Sequence, residues 1–372
     1  MSRIFKFDLL LIFITFILLG VGIIEVFSSS YYFNVNSVQS AFLLKHLKSV
    51  LIGISGMFVF SFFPYKYLKK IAYLVIIPLI FGFVILHFSP DKAINGSKRW
   101  VRILGFSYMP SEWAKIYIII IMAKLLYMRE KFIDKFIIGI VPYLIFGGIF
   151  SVLVLIQPNM SDAVIIMAIV LGMVFVAGMK WIHTIGISIL GAGGIFMMIV
   201  SSSYRMKRFL TFRDPFQDPL NFGYQSIQSL YALGSGGLFG VGLGLSTQNK
   251  LYLPFSQNDF ILATIAEEWG FLGIVFMLFM FLFLIYRGFK IAVESDDKFG
   301  FYLAIGITMM ISLHVIINFL VVASLMPVTG ITLPLISSGG NSILVILISI
   351  GILLNISKTN NSKAIREEQW KF

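Results

Sequence analysis

The sequence predicts an all-α polytopic membrane protein with ten transmembrane helices. Of its 372 residues, 58% are hydrophobic and 12% are charged, and the mean hydropathy is +0.93. A soluble chain of this length could not bury so much apolar surface. The second observation is a series of ten apolar runs, each about 17–25 residues long, as a hydrocarbon core of about 30 Å requires. The third is one connection of about 60 residues, far longer than the usual loop between helices.

The predicted spans follow one another as a single membrane domain over residues 1–357, with a short charged tail at 358–372. In chain order they cover residues 8–27, 46–63, 71–89, 111–128, 136–156, 162–179, 183–201, 260–286, 300–324 and 333–356. The first run is long for a signal peptide and lacks a clear A-x-A cleavage site, so we expect an uncleaved helix. The long connection, at about 202–260, lies between the seventh and eighth spans.

The distribution of Lys and Arg predicts the orientation of the chain. With the N-terminus in the cytoplasm, the cytoplasmic tails and loops carry 17 of the 29 basic residues. Five of the other 12 lie in the long connection, which the positive-inside rule discounts, so the comparison is 17 against 7. We therefore expect both termini inside and the long connection outside. The net charge of +12 then indicates contact with anionic lipid headgroups and not binding to nucleic acid.

Metal sites built on cysteine are excluded, because the chain has no Cys. Its four His residues form no HExxH pair, so the sequence gives no strong zinc signal.

Asp259 is the candidate catalytic residue. It lies where the long connection re-enters an apolar helix. A carboxylate is energetically costly to place at the mouth of a membrane bundle, so its presence there indicates a functional site. Small residues follow it at helical spacing, at Ala263, Ala266, Gly270 and Gly273, and predict a face that a second helix or a lipid chain can approach closely. With an ordinary pKa, Asp259 is ionised at neutral pH and can accept a proton. The alternative is that Asp259 only caps the helix.

Two basic clusters lie on the side of the membrane where the positive-inside rule predicts few cations. They are Lys98, Arg99 and Arg102 before the fourth span, and Arg205, Lys207, Arg208 and Arg213 at the start of the long connection. Such clusters indicate an anionic ligand, for example a lipid phosphate or pyrophosphate. The alternative is that these side chains extend to lipid headgroups.

Several polar residues inside the predicted spans have structural interpretations. Glu112 and Lys115 share a helix face, and we expect charge neutralisation between them, with catalysis as the alternative. Pro110 before them is typical of a helix start. Asp162 is expected to cap the sixth span, with a place in the cavity as the alternative.

Further along the chain, Glu267 and Glu268 are expected to hydrogen-bond between helices, although one of them is also a candidate second site residue. His314 and Asn318 lie one turn apart and are expected to form a satisfied interior polar pair. The segment MPVTGITLPLISSGGNS (Met326–Ser342) contains two prolines and three glycines and predicts a re-entrant connection, which is tolerated only where protein or a cavity covers it.

Four sequence blocks resemble those of one known family, the SEDS proteins (shape, elongation, division, sporulation). They are NGSKRWVRILGFSYMPSEWAK (Asn95–Lys115), YRMKRFLTFRDPFQDPLNFGYQSIQSLYALGSGGLFGVGLG (Tyr204–Gly244), LPFSQNDFILATIAEEWGFLG (Leu253–Gly273) and PVTGITLPLISSGGNS (Pro327–Ser342). The blocks occur in the family's order over nearly the whole chain. Their residues are more similar to the division branch than to the elongation branch.

The resemblance implies a ten-helix polymerase of lipid II that makes the glycan strands of peptidoglycan at the division septum. It places Asp259 on the family's catalytic Asp, and it implies a class B penicillin-binding protein (a transpeptidase) and other divisome membrane proteins as partners. In this interpretation Asp259 is the general base of an inverting glycosyltransferase, assisted by Mg²⁺ or Mn²⁺ whose ligands are unknown. The candidate substrate-binding residues are Lys98, Arg99, Arg102, Glu112, Lys115, Arg205, Arg208, Gln225, Glu267, Ser337, Gly339 and Gly340.

The chain departs from the family pattern at four places. The run Phe255–Asn258 replaces a Glu-Ala-His-Thr-like run, the acid of the QPD pattern is displaced to Asp162, Ser338 replaces a usual Tyr, and Glu25 stands where an apolar residue is common. None of these changes removes the proposed base. Two other functions need the same membrane fold. A flippase for the lipid precursor needs the basic clusters but no base, and a non-catalytic scaffold needs neither.

Overall fold

The computed structural model describes residues 7–30, 38–88, 99–103, 106–254 and 256–369. Its helices are α1 (Leu9–Ser30), α2 (Val38–Phe62), α3 (Lys66–Ile71), α4 (Ile76–Phe88), α5 (Pro110–Arg129), α6 (Val141–Ile156), α7 (Met160–Val176), α8 (Trp181–Val200), α9 (Ser203–Arg213), α10 (Tyr224–Ser235), α11 (Thr247–Leu251), α12 (Ile261–Val293), α13 (Lys298–Val322) and α14 (Gly340–Gln369). A π turn, Phe136–Ile140, leads into α6, and short 3₁₀ turns lie at Glu130–Phe132 and Pro215–Gln217.

The structure confirms an all-α polytopic membrane protein, and each of the ten predicted spans coincides with a helix. Within the described residues, seven helices are long and apolar enough to cross a membrane: α1, α2, α6 with its π turn, α8, α12, α13 and α14. Two more, α4 and α7, are apolar but shorter. The remaining predicted span, α5, has 20 residues and contains Glu112, Lys115, Lys124 and Arg129. Its low apolarity reflects these charges, two of which, Glu112 and Lys115, form an ion pair with each other.

Helix α13 lies inside the bundle, where it packs against α5, α7, α12 and α14. Its buried residues include His314 and Asn318. At the other extreme, α8 packs against α9 and has no buried residue. An apolar helix that is exposed along its whole length must face lipid. Lys115 of α5, Asp162 of α7 and His314 of α13 are buried polar residues inside the bundle, whereas α8 contributes no buried residue.

A two-stranded hairpin was not predicted from the sequence. Strands β1 (Val101–Ile103) and β2 (Phe106–Tyr108) pair antiparallel, with Arg102 opposite Ser107. Asn341, at the start of α14, donates from Nδ2 to the Ser107 carbonyl oxygen at 2.8 Å and attaches the hairpin to the bundle. Arg99 lies two residues before β1, so the attachment of the hairpin also limits where Arg99 can lie.

The expected small-residue face of α12 is interrupted, because Gly270 has φ +70° and ψ −164° and breaks the helix. Residues 236–242 lie against the break. Val241 and Gly242 donate their N–H groups to the Glu267 and Glu268 carbonyls at 2.9 and 3.1 Å, and Phe271 N–H donates to Gly237 at 2.9 Å. A Cβ on Gly240 would clash with the Glu268 carbonyl oxygen. The prediction that a second helix or a lipid chain covers this part of the face was therefore wrong, because the Gly-rich segment satisfies the broken backbone.

The connection between α13 and α14 is non-helical over residues 323–339. This agrees with the predicted break between the ninth and tenth spans, but the last helix begins at Gly340 and not at residue 333. Leu335 has φ +67°, and its carbonyl oxygen lies 2.7 Å from the position a Cβ would take on Gly22 of α1. Any larger residue at Gly22 would displace the connection. At the other end, α14 continues to Gln369, so most of the predicted tail, residues 358–372, is helical.

Candidate active site

Asp259 lies in the turn before α12, and α13 and the 323–339 connection hold this turn. Asn318 of α13 donates from Nδ2 to the backbone carbonyl of Asp259 at 2.9 Å and to that of Ile331 at 2.8 Å. A Cβ on Gly330 would lie 3.5 Å from Asp259 Oδ2. Asn318 thus joins the candidate base to the connection. His314 and the Asn318 amide nitrogen bond to other groups and not to each other, so the expected pairing between them is wrong.

The 323–339 connection contacts the Asp259 segment at a second point, at Gln257. The Ser338 N–H donates to the Gln257 carbonyl at 2.8 Å. Ser337 Oγ accepts a hydrogen bond from Leu333 N–H at 2.8 Å, and Gly339 is enclosed by Thr332 and Ser342. Gly340 begins α14. The predicted binding residues Ser337, Gly339 and Gly340 therefore shape the turn that holds the Asp259 segment.

Two arginines, one from each predicted basic cluster, lie close enough to Asp259 for their charges to act on it. Arg99 donates from Nη2 to the Pro158 carbonyl at 2.7 Å, and Arg208 of α9 donates from Nη1 to the Val328 carbonyl at 3.0 Å. The Arg208 guanidinium also lies 4.9 Å from the centre of the Tyr204 ring. Both arginines act on the charge of Asp259. Within the described residues, each guanidinium uses only part of its five donors for these contacts, so the others are available to an anion.

Burial raises the pKa of Asp259 to about 6, while the positive charges of Arg99 and Arg208 oppose this shift. The expectation of an ordinary pKa was therefore wrong. The physical reason is that the protein surrounding the half-buried carboxylate disfavours its charged form. At neutral pH the group remains mostly ionised, and a pKa near the working pH suits a general base better than an ordinary one.

Several buried polar atoms in the segments that surround Asp259 have no hydrogen-bond partner in the described part of the chain. They are Arg99 Nε, Gln157 Oε1, Asn318 Oδ1 and Thr329 Oγ1. An unsatisfied buried polar group costs about 1–3 kcal/mol, so it marks a place where a ligand group or water is expected. This end of the bundle is therefore built with unused donors and acceptors, as a site for a polar substrate requires.

A second charged cluster surrounds Lys115 of α5. Its Nζ lies 2.9 Å from Glu112 Oε2, 3.0 Å from Asp162 Oδ1 and 2.9 Å from His314 Nε2. The side chain of Lys115 is fully buried. His314 Nδ1 is 2.8 Å from the Met310 carbonyl, which assigns the proton to Nδ1 and leaves Nε2 to accept from Lys115. The structure thus supports charge neutralisation as the role of Glu112 and Lys115.

The cap of α7 is Asn159, whose Oδ1 accepts from Asp162 N–H at 3.4 Å. The expectation that Asp162 caps this helix was wrong, because its carboxylate turns inward to Lys115. Asn159 Nδ2 also donates to Asp162 Oδ2 at 2.6 Å. The acid displaced relative to the family pattern is therefore still used, as the partner of an interior lysine.

The same cluster is the candidate metal site of the described residues. The ligand atoms of Glu112, Asp162 and His314 all lie within 4.8 Å of one another. However, the Lys115 ammonium contacts all three and occupies the position that a cation would take. Three acceptors that already share one positive charge do not fit a divalent ion.

The other predicted site residues lie outside these two clusters. Arg102 is exposed, Arg205 faces the sulfur of Met160 at 4.0 Å, and Gln225 is half-buried on α10. Lys98 lies outside the described residues. Glu267 accepts from Ser246 Oγ at 2.5 Å and from Thr247 N–H at 2.9 Å, so it holds the start of α11. Glu268 accepts from Ser28 of α1 at 2.5 Å, which confirms hydrogen bonding between helices.

Sequence reasoning did not assign Asn318, Thr329 or Gly330 to the site. Asn318 carried a signal, since an amide inside an apolar helix must find polar partners. Nothing in the sequence shows that one of those partners is the backbone of Asp259.

The chain matches the family model FTSW_RODA_SPOVE, described as "Cell cycle protein", over residues 9–362. It is 37% identical over 364 residues to a probable peptidoglycan glycosyltransferase FtsW of Geobacter sp. (strain M18), covering 96% of this chain and 98% of that protein. It is 39% identical over 357 residues to the stage V sporulation protein E of Bacillus subtilis (strain 168), covering 94% and 97%.

Solved structures show the same fold. A chain from a study entitled "Structural coordination of polymerization and crosslinking by a peptidoglycan synthase complex" superposes with a TM-score of 0.79 at 23% identity, covering 95% of this chain and 98% of that one. The rod shape determining protein RodA of Thermus thermophilus gives a TM-score of 0.67 at 23% identity, with 95% and 97% covered. The family match and the two relatives, on top of the fold, establish that the chain belongs to the SEDS family of FtsW, RodA and SpoVE proteins.

Proposed function

We propose that the chain is a peptidoglycan glycosyltransferase that polymerises lipid II into glycan strands. The observation that carries this proposal is Asp259, a half-buried carboxylate with a pKa of about 6 on which the positive charges of Arg99 and Arg208 act. The relatives named FtsW are glycosyltransferases by name. A carboxylate base beside two cations matches a reaction in which a sugar hydroxyl loses a proton and a diphosphate leaves.

In the proposed reaction, Asp259 accepts the proton of the acceptor sugar's 4-hydroxyl. The hydroxyl oxygen forms a bond to the anomeric carbon of the donor, and the bond from that carbon to the lipid diphosphate breaks with inversion. Electrons of the broken bond remain on the diphosphate, whose negative charge therefore grows. Arg99 and Arg208 stabilise this charge through hydrogen bonds that are strongest when the acceptor is ionised.

A divalent cation is also part of the proposal, although the Glu112, Asp162 and His314 cluster does not fit one. We infer that Mg²⁺ or Mn²⁺ enters together with the diphosphate, for which such ions are common partners. The proton transfer and the stabilisation of the leaving group still belong to the protein's own side chains, Asp259, Arg99 and Arg208.

The direct test incubates purified protein with labelled lipid II and separates the products by gel electrophoresis. We expect glycan polymer from the unchanged chain and from Asp134→Asn, an exposed control, but almost none from Asp259→Asn. A lipid flippase would move lipid II across vesicles and make no polymer. A scaffold would do neither. Polymer made equally well by Asp259→Asn would contradict the proposed base.

The division branch is the more specific part of the proposal. Several relatives are named FtsW, and another is a stage V sporulation protein. We propose that the chain acts at the division septum with a class B penicillin-binding protein, the transpeptidase partner that the family resemblance implies. A tagged chain expressed at native level should retain such a transpeptidase after detergent extraction and should localise at mid-cell. Localisation along the side wall would favour the elongation branch.

The orientation is proposed from the Lys and Arg distribution. Both termini lie in the cytoplasm and Asp259 faces the opposite side, where the lipid II headgroup would be used. A topology reporter inserted after Lys250 should be active outside the cytoplasm, and one after Lys363 inside. Activity of both reporters on one side would contradict the topology.

A further inference from the structure

Two carboxylates lie buried together away from the Asp259 site, between α1 and α12. Glu25 is 0% exposed and Glu268 is 2% exposed. Hydrogen bonds cross between their helices: Trp269 Nε1 donates to Glu25 Oε1 at 2.7 Å, and Ser28 Oγ donates to Glu268 Oε1 at 2.5 Å. Each carboxylate is thus bound to the helix that carries the other, and the charge of Glu268 acts on Glu25.

This pair has no basic partner among the described residues. None of the ion pairs among the described residues includes Glu25 or Glu268. The other groups that face Glu268 are the Glu267 carboxylate and the backbone N–H groups of Gly244 and Ser246. If both were ionised, Glu25 and Glu268 would repel each other, because the protein interior screens charges weakly. Glu267 adds further negative charge.

The pair has one unsatisfied oxygen on each side. Glu25 Oε2 and Glu268 Oε2 are both buried and have no hydrogen-bond partner in the described part of the chain. A buried carboxylate oxygen without a donor is costly. One proton placed between the two oxygens removes one negative charge and supplies the missing hydrogen bond to the other carboxylate. A metal ion would need several more oxygen ligands than the two that are free.

We propose that Glu25 and Glu268 form a proton-binding site, in which one proton shared by Glu25 Oε2 and Glu268 Oε2 fastens α1 to α12. The site lies directly before the break at Gly270 and beside Glu267, which holds the start of α11. The proton therefore stabilises the part of α12 on which residues 236–246 rest. This proposal does not depend on the glycosyltransferase activity.

The sign of the pH dependence follows from where the proton is held. Because the folded pair binds one proton more than two separate carboxylates in an unfolded chain at neutral pH, stability falls as the pH rises. Over the range in which this difference is one full proton, each pH unit lowers the folding equilibrium constant about tenfold.

Infrared spectroscopy of the purified chain provides the first test. We expect a C=O stretch of a protonated carboxyl group at pH 8, where Asp259 with its pKa of about 6 is ionised. The band should disappear in Glu25→Gln and in Glu268→Gln, and it should remain in Glu294→Gln, which changes an exposed acid beyond the end of α12. A chain without this band at pH 8, or a band that survives both Gln variants, overturns the proposal.

The second test is the melting temperature between pH 7 and pH 9. It should fall with pH in the unchanged chain and in Glu294→Gln, and it should stay level in Glu25→Gln, since the amide donates to Glu268 at any pH. If Glu25→Gln does not fold, Glu25→Leu serves instead, because it also leaves a single carboxylate with its Ser28 partner. Stabilisation of the unchanged chain by Na⁺, Mg²⁺ or Ca²⁺, absent in Glu25→Gln, would show a metal site and contradict the shared proton.

Discussion

The Asp259 site and the Lys115 cluster both combine buried acids with basic side chains, yet they differ in how completely their polar atoms are satisfied. Lys115 is fully buried and contacts Glu112, Asp162 and His314 at 2.9–3.0 Å. Asp259 is half-buried, and around it Arg99, Asn318 and Thr329 each have a buried atom without a hydrogen-bond partner among the described residues. A cluster whose polar atoms all have partners holds helices together. A cluster with unpaired polar atoms can bind a polar substrate. Charge alone in a membrane bundle does not mark the active site.

The largest expected effect is on Asp259. Asp259→Asn keeps the shape of the side chain but cannot take a proton, so polymerisation should fall about 10²–10⁴-fold. Asp259→Glu should also lose most activity, because one added methylene changes the reach to the acceptor hydroxyl. Initial rates per folded molecule and melting curves decide between base and helix cap. A variant that melts earlier but polymerises normally would show that Asp259 only stabilises the helix.

Removing Lys115 should act on stability instead. In Lys115→Met, two buried carboxylates lose their cation, which costs about 3–5 kcal/mol. We expect a lower melting temperature in detergent and less protein in the membrane. The triple variant Lys115→Met, Glu112→Gln, Asp162→Asn should recover much of the loss, since no buried charge is left. If the single variant melts normally and loses only turnover, Lys115 belongs to the catalytic machinery and the two clusters do not differ in role.

Arg99→Gln and Arg208→Gln should weaken the use of lipid II about tenfold to a hundredfold, because a hydrogen bond to a charged group contributes about 1.5–3 kcal/mol. Arg213→Gln, an exposed change at the end of α9, is the matched control. The effect should appear in kcat/KM measured at low lipid II concentration. Equal values for all three variants would leave Arg99 and Arg208 as contacts to lipid headgroups.

The pH profile gives a smaller, graded effect. Since the base must be ionised, the initial rate should rise with pH and reach half its maximum near 6. Arg99→Gln should move this midpoint to higher pH, because Arg99 lowers the pKa of Asp259. Stability should change in the opposite direction: the raised pKa means that the folded state holds the proton more tightly, so this contribution is lost as pH rises through about 6. A midpoint near 4 would contradict the burial argument.

No effect is expected when metal ions are removed from the chain alone. The Lys115 ammonium already satisfies Glu112, Asp162 and His314, so EDTA should leave the melting temperature unchanged. If a cation enters with the diphosphate, EDTA should lower polymerisation and added Mg²⁺ or Mn²⁺ should restore it. Destabilisation by EDTA would show that the protein itself holds a metal.

The contrast between the two sites was only partly predictable. Glu112 and Lys115 lie at i and i+3 on one helix, so helical geometry by itself implies their contact. Asp162 and His314 come from other helices, and their part in the cluster depends on how α5, α7 and α13 pack. The same holds for Arg99 and Arg208, which are separated by more than a hundred residues of sequence and meet only at Asp259.

Apolarity and local spacing were enough for the sequence by itself to determine the helices and the main site residues. Ten apolar runs require helices, because unpaired backbone groups cannot be exposed to lipid. The one acid at the end of a long polar connection identified Asp259, and the breach of the positive-inside rule identified Arg99 and Arg208. Both signals are local, so they can be seen without the fold.

Only the tertiary structure decided which polar groups are left unsatisfied. In the sequence, Gly270 is one of several small residues at helical spacing. In the structure it breaks α12, and the break is stabilised by residues 236–242, which no local pattern connects to it. Asn318 reads as a partner of His314, but its amide holds the backbone of Asp259. The pKa of Asp259 is raised because distant segments surround it. Burial and hydrogen-bond satisfaction depend on every neighbour in space, and for these residues the neighbours come from distant parts of the chain.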